Sequence, residues 1–283
     1  MTKVHHEFDS GHESASEQLE SFVHNEGLDD LARLYLPEGE ELPSSTHERL
    51  AALQDLATSY WDYRKGAERQ AVDWNDENVD TEGSEQWEAI FDAAAKLGLV
   101  ESSKPINRHP QHLVVLGGAN RAPLDRLRYG LSMVDDFEHV AYLGSSRTIS
   151  DAEQQKAADY APGAITEFDL GCGAFETLLG AVMTDEFTIE RDGDIWGMRL
   201  YEFEWEGKKR TGFVLSTPQY IGEKRATTYD NYRFFADRAE LAEHPDQSVV
   251  AVTNAFFTKF QHLTAIQELT LAHGALIETI GFE

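Results

Sequence analysis

The stretch FDLGCGAFETLLG, from Phe168 to Gly180, decides how the chain is read. An acidic residue precedes Gly-x-Gly, and a helix-like run follows. If AITEFDL (164–170) is a strand and FETLLGAVM (175–183) a helix, then Gly171 to Gly173 is a glycine turn at a strand end. Glycine there lets backbone approach a ligand closely.

Upstream, the same plan occurs twice. HLVVLGGAN (112–120) is a short apolar run ending in glycines, the signature of a buried parallel strand reaching a loop. A helix is predicted from about Leu124 to Met133. FEHVAYLGSSR (137–147) repeats strand and small-residue turn, and 151–159 reads as helix. The opening stretch is therefore third in a series.

Downstream the character changes. Asp192-Gly193 and Glu206-Gly207 are turn signals, and Tyr201, Phe203 and Trp205 alternate with Glu202, Glu204 and Glu206. This predicts an antiparallel hairpin or meander inserted at about 186–216. A helix (226–241), a strand (247–256), a helix (257–274) and a last strand (275–282) complete the chain. Alternating elements predict a three-layer, Rossmann-like α/β domain over 106–283 with a mainly parallel sheet. Ligands of such sheets sit at the carboxyl ends of the strands.

Residues 1–105 predict an all-helical region. Leu19, Phe22, Val23, Leu28, Leu31 and Leu34 suit two short helices broken near Gly27. LPSSTHERLAALQDLATSYWDYRKGAERQA (42–71) is the clearest helix, with Ser45 and Glu48 at capping-box spacing. DWNDENVDTEG (73–83) reads as an acidic loop. SEQWEAIFDAAAKLGL (84–99) is a further helix, with Gly98 as its C-terminal cap.

Composition narrows the function. The 283 residues carry 51 acidic and 24 basic side chains, a net charge of −27. Such a surface repels phosphate backbones, which argues against nucleic acid as a partner but leaves room for a local anion site. One cysteine, Cys172, permits no internal disulfide. No secretory signal or membrane-length apolar stretch is present, so a cytoplasmic protein is expected.

Three strand ends collect ligand-competent residues: Gly117, Gly118, Asn120 and Arg121; Gly144, Ser145, Ser146 and Arg147; Thr253 and Asn254. Each alone suits an ordinary turn; three in register point to a site. Arg147 suits an anion clamp. Glu153 follows six residues later, as general base, as the group that orients Arg147, or as a first-turn carboxylate facing the helix dipole. Glu176 is expected to face the same pocket. Asp169 and Gly171 would form one wall, and Thr228 and Asn231 open a helix where Thr is most often a cap. His109 and His112 have a metal-like spacing, yet no ligand set completes it, and no metal is expected. There is no P-loop, no Gly-x-Ser-x-Gly elbow and no full dinucleotide fingerprint.

LVVLGGANRAPLDRLRYGL, VAYLGSSRTISDAE, ATTYDNYRFF and VVAVTNAFFTKFQ together resemble the YdcF/SanA-like family of bacterial α/β proteins, over roughly Gln111 to Gly274. The resemblance implies a Rossmann-like sandwich with site positions at Gly117, Gly118, Arg126, Ser145 to Arg147, Glu153, Thr228 with Asn231, and Thr253 with Asn254. Phe257 stands where family members carry a histidine. Many members have a membrane anchor, which this chain lacks. S-adenosylmethionine is the cofactor associated with the family.

Three readings follow. The first is an enzyme-like protein, hydrolase or transferase, holding a nucleotide-like or other small anionic ligand at the strand ends. The second is an S-adenosylmethionine-dependent methyltransferase built on FDLGCGAFE, with Glu190 or Asp192 on the ribose. The third is a non-catalytic binding or scaffold protein. Oligomeric state is not readable.

Overall fold

A computed structural model describes residues 15–61, 85–191, 194–217 and 226–282. The chain divides into two compact units between Val100 and Glu101. The acidic loop, the 62–71 part of the long helix, the Asp192-Gly193 turn, the Glu190 side chain and His5, His6 and His12 lie outside the described residues.

In the first unit the described residues form α1 (Ala15–Val23), α2 (Glu26–Arg33), α3 (Thr46–Leu56) and α4 (Glu85–Lys96). A π-helical turn, Ala57–Trp61, prolongs α3. The break before α2 falls at Asn25, whose side chain accepts from the Gly27 N–H. Gly98 takes φ 67, as its place after α4 predicts. Ser45 does precede α3, but its side chain makes no cap bond, which corrects the capping-box expectation. Val23, Leu28, Ala32, Leu53, Leu56 and Leu97 pack as the core of this unit.

The second unit is α/β. Its strands are β1 (His112–Leu116), β2 (His139–Ser145), β3 (Val182–Arg191), β4 (Asp194–Trp205), β5 (Lys208–Thr217), β6 (Ser248–Asn254) and β7 (Leu276–Phe282). They form one sheet in the order β3-β4-β5-β2-β1-β6-β7. β5, β2, β1, β6 and β7 are mutually parallel, while β3 and β4 add an antiparallel edge. The helices are α5 (Ala122–Met133), α6 (Asp151–Ala157), α7 (Glu167–Leu179), α8 (Thr228–Arg238) and α9 (Thr258–Ala265). A π turn and a last helical turn carry α9 on to His273.

The central strands are buried on both faces, so they read as unbroken apolar runs. Alternate residues enter different cores. Leu113, Val115, Val140, Tyr142, Val214 and Val252 pack with α5 and α7. Val114, Leu116, Ala141, Leu143, Leu215 and Ala251 pack with α8.

Two expectations are overturned here. AITEFDL is no strand: Thr166 caps α7, with its side chain accepting from the Asp169 N–H while Asp169 returns the bond. The third parallel strand is β5, the last strand of the meander, so the meander is not an appendage beside the parallel sheet. It also begins earlier than expected, at Val182, because α7 stops at Leu179 and Gly180 turns left-handed (φ 57).

The Gly-x-Gly of the opening stretch therefore lies inside a helix. A Cβ at Gly171 would come within 2.2 Å of the Tyr142 ring, and one at Gly173 within 2.5 Å of Ala161 Cβ. These glycines let α7 press onto β2 and the 160–161 turn. They do not form a ligand loop.

Candidate functional site

The connection out of β1 runs through α5 to β2 on one side, and β6 lies on the other side of β1. Adjacent parallel strands whose connections depart in opposite directions leave a crevice at their carboxyl ends. Gly117 and Gly118 leave β1 there, and Thr253 and Asn254 end β6.

Arg126, from the second turn of α5, fills this point and is only 4% exposed. Its Nε and Nη2 donate to Asn254 Oδ1 at 3.0 and 2.6 Å, and Nη1 donates to the Leu116 carbonyl at 2.8 Å and to the Gly117 carbonyl. All these acceptors are neutral. Burial pulls its pKa below the ordinary arginine range, opposed through space by Tyr142, Glu167 and Tyr232. The two glycines make room: a Cβ at Gly118 would lie 3.2 Å from Arg126 Nη1, and one at Gly117 2.7 Å from Glu167 Oε1.

One strand over, Ser145 ends β2 and its Oγ donates to Glu167 Oε2 at 2.6 Å. Glu167 is the first residue of α7, and its N–H donates to the Arg147 carbonyl at 3.0 Å. A bridge between Thr148 and Thr166 and a bond from the Ile149 N–H to the Ile165 carbonyl hold the two segments together. The apolar and glycine pattern of the sequence does not single out Glu167. Its signal is the Thr166-x-x-Asp169 capping box, which marks a helix start there.

Arg147 is not a free clamp. Its Nη1 and Nη2 donate to both carboxylate oxygens of Glu153, at 3.2 and 3.1 Å. Burial opposes the arginine charge, but Glu153 more than offsets it and keeps the guanidinium above its ordinary pKa. Burial likewise works against the Glu153 carboxylate. The Arg147 and Ser150 hydrogen bonds outweigh that and hold its pKa below the usual range. Glu153 also closes a capping box with Ser150 at the start of α6. Its geometry is that of a group orienting Arg147.

The other predicted residues are placed as follows. Asn120 takes φ 55, and its carbonyl accepts from Tyr160 Oη at 2.5 Å. Arg121 pairs with Asp159 at 2.5 Å. Ser146 is exposed. Asp169 serves the α7 cap, and Gly171 is buried against Tyr142. Thr228 is the first residue of α8, capped by Thr227. Glu176 is corrected: nine residues beyond Glu167 along α7, it lies roughly 13 Å from the helix start that meets Arg147. There it accepts from Tyr201 Oη at 3.3 Å.

Polar atoms that find no hydrogen-bond partner among the described residues gather at the same edge: Thr217 Oγ1, Asn231 Oδ1, Tyr232 Oη and Thr253 Oγ1. Thr217, Tyr232 and Thr253 are at most 2% exposed. Buried polar groups are ordinarily satisfied, so such a concentration marks a place built for further polar contacts. Among the described residues no cluster of His, Cys, Asp and Glu is arranged to hold a metal. His112 instead stacks on His139, and its Nε2 bonds Gln247 Oε1. Cys172 is buried, with its thiol pKa pushed up by burial. No helix among the described residues is long and apolar enough to cross a membrane.

A protein-family model described as the Rv3785 N-terminal domain matches residues 7–98. Over 281 residues the chain is 28% identical to the uncharacterized protein Rv3785 of Mycobacterium tuberculosis and to the uncharacterized protein Mb3814 of Mycobacterium bovis. The alignment covers 90% of this chain and 77% of theirs. No solved structure matches the chain. In sequence, the chain is thus similar to these mycobacterial proteins along nearly its whole length.

Proposed function

We propose that the protein binds a small anionic ligand, nucleotide-like in size and charge, at the carboxyl ends of β1, β2, β5 and β6. Numbered among themselves, the parallel strands run 3-2-1-4-5, the order of the first five strands of a Rossmann-like sheet, which agrees with the YdcF/SanA-like resemblance. The observation that carries the reading is Arg126. A buried guanidinium normally faces a carboxylate, and among the described residues this one hydrogen-bonds only neutral oxygens. An anion arriving at the crevice supplies the missing countercharge, while the acidic exterior excludes long polyanions.

Arg147, oriented by Glu153, forms the second wall, and Ser145 with Glu167 places a hydroxyl and a carboxylate between the two arginines. That set suits hydrolysis or group transfer, with Glu167 the carboxylate best placed to move a proton. S-adenosylmethionine remains a ligand to screen, but not through Gly171 to Gly173, which lie within α7.

Asn254→Asp tests the reading. It sets a carboxylate against Arg126 with the same shape and hydrogen bonds. Calorimetry with inorganic phosphate is expected to show at least tenfold weaker binding than wild type, with an unchanged or higher melting temperature. Undiminished phosphate binding in the folded variant would refute the assignment.

A further inference from the structure

The anion site is one end of a longer polar strip. Along a strand, side chains alternate between faces. Thr217 follows Leu215 by two residues and Thr253 follows Ala251 by two, so both hydroxyls belong to the sheet face on which Tyr232 packs. All three are buried, and among the described residues none of their hydroxyls has a hydrogen-bond partner. Asn231, beside Tyr232 on α8, adds an unpartnered carbonyl oxygen. The strip starts at Thr253, next to Asn254, whose Oδ1 accepts from Arg126, and ends on β5.

Its length identifies the ligand class. Thr253 stands on β6 and Thr217 on β5, with β1 and β2 between them. By the strand register Thr253 is level with Leu116, Leu143 and Leu215, so Thr217 lies three strand spacings across and two residues further along, roughly 16 Å in all. Inorganic phosphate or a simple carboxylate satisfies the Arg126 end alone. The remaining groups are hydroxyls, which both donate and accept, and one amide oxygen, which accepts. Their complement is a chain of ligand hydroxyls.

Resting on the anion reading above, we propose that the ligand is a phosphate ester of a sugar. Its phosphate meets Arg126 and the Thr253 hydroxyl, and its hydroxyls run along Tyr232 and Asn231 to Thr217. A free sugar phosphate and a nucleotide share this chemistry.

The test is calorimetry on the full chain and its Thr217→Val variant. The probes are inorganic phosphate, ribose 5-phosphate and adenosine 5′-monophosphate. Wild type is expected to bind one or both esters at least tenfold tighter than inorganic phosphate. Thr217→Val is expected to erase that margin, leave phosphate binding unchanged, and melt no lower than wild type, since it removes a buried hydroxyl that no described residue satisfies. Whichever ester keeps the larger margin in wild type identifies a free sugar phosphate or a nucleotide. The proposal is overturned if neither ester exceeds phosphate, or if Thr217→Val binds the esters as tightly as wild type. Absence of phosphate binding by wild type would overturn the anion reading itself, a result distinct from either.

Discussion

Two arginines stand at the same edge of the sheet and solve burial differently. Arg147 has a bidentate carboxylate, Glu153, and the pair is electrically closed. Arg126 is more deeply buried but hydrogen-bonds an amide oxygen and two backbone carbonyls. The first arrangement holds a loop against the start of α6. The second keeps a charge in reserve where β1 and β6 part. An arginine is informative about ligands only once its internal partners are known.

The largest effect is expected from removing the closed pair's carboxylate. Glu153→Gln leaves a largely buried guanidinium uncompensated and weakens the α6 cap. Denaturant unfolding should show a loss of about 3 kcal/mol. Phosphate should recover part of it by binding the freed Arg147, which would make this arginine resemble Arg126. A loss below about 1 kcal/mol would mean that the pair is not closed in solution.

Next in size is Gly171→Ala, which tests the placement of Gly171 inside α7 rather than in a glycine loop beside the arginines. Its Cβ meets the Tyr142 ring, and overpacking of this kind costs about 1–3 kcal/mol. A neutral outcome in thermal melting would argue against α7 lying on β2 as described.

Smaller still is the double replacement Arg147→Met with Glu153→Leu. Buried ion pairs replaced by apolar groups of similar volume are often neutral, so stability should stay within about 1 kcal/mol of wild type despite the cost of Glu153→Gln alone. Phosphate binding through Arg126 should survive. Its disappearance would move the anion to Arg147.

The subtlest distinction is in acid. Glu153 has a depressed folded pKa, so its contribution is present above the unfolded carboxylate range and is lost as pH falls through the lower folded value. Glu153→Gln should flatten that part of the acid-unfolding profile. His262 acts in a different window. Burial lowers its pKa to about 4, so the unfolded chain takes up its proton first, and stability falls between about pH 6.5 and 4. A Glu153→Gln curve identical in shape to wild type below pH 4 would show that Arg147 does not hold the carboxylate.

Much of the fold was legible. β1, β2 and β6 announce themselves as apolar runs ending in small or polar residues, because strands covered on both faces need no alternation. The strand ends at which the proposed site stands were legible where glycine, threonine and asparagine end such runs. The third parallel strand was not, because GFVLST (212–217) trails an alternating meander and its two-faced burial is conferred only when it joins β2. FDLGCGAFETLLG misled for the converse reason. Gly-x-Gly reads the same whether the close approach is to a ligand or to Tyr142. The Thr-x-x-Asp and Ser-x-x-Glu spacings at Thr166 and Ser150 were the better guides to helix starts, whereas the same spacing at Ser45 forms no cap bond.

Composition and local pattern by themselves determined a parallel-rich α/β unit after a helical segment, a strongly acidic exterior and polar strand ends. They could do so because burial, turn chemistry and charge are written residue by residue. Only the tertiary structure decided which strand stands beside which, that Glu167 reaches Ser145, and that Arg147 hydrogen-bonds a carboxylate while Arg126 hydrogen-bonds neutral oxygens. Those are pairings between residues distant in sequence, and electrostatic compensation exists only between groups that folding brings together.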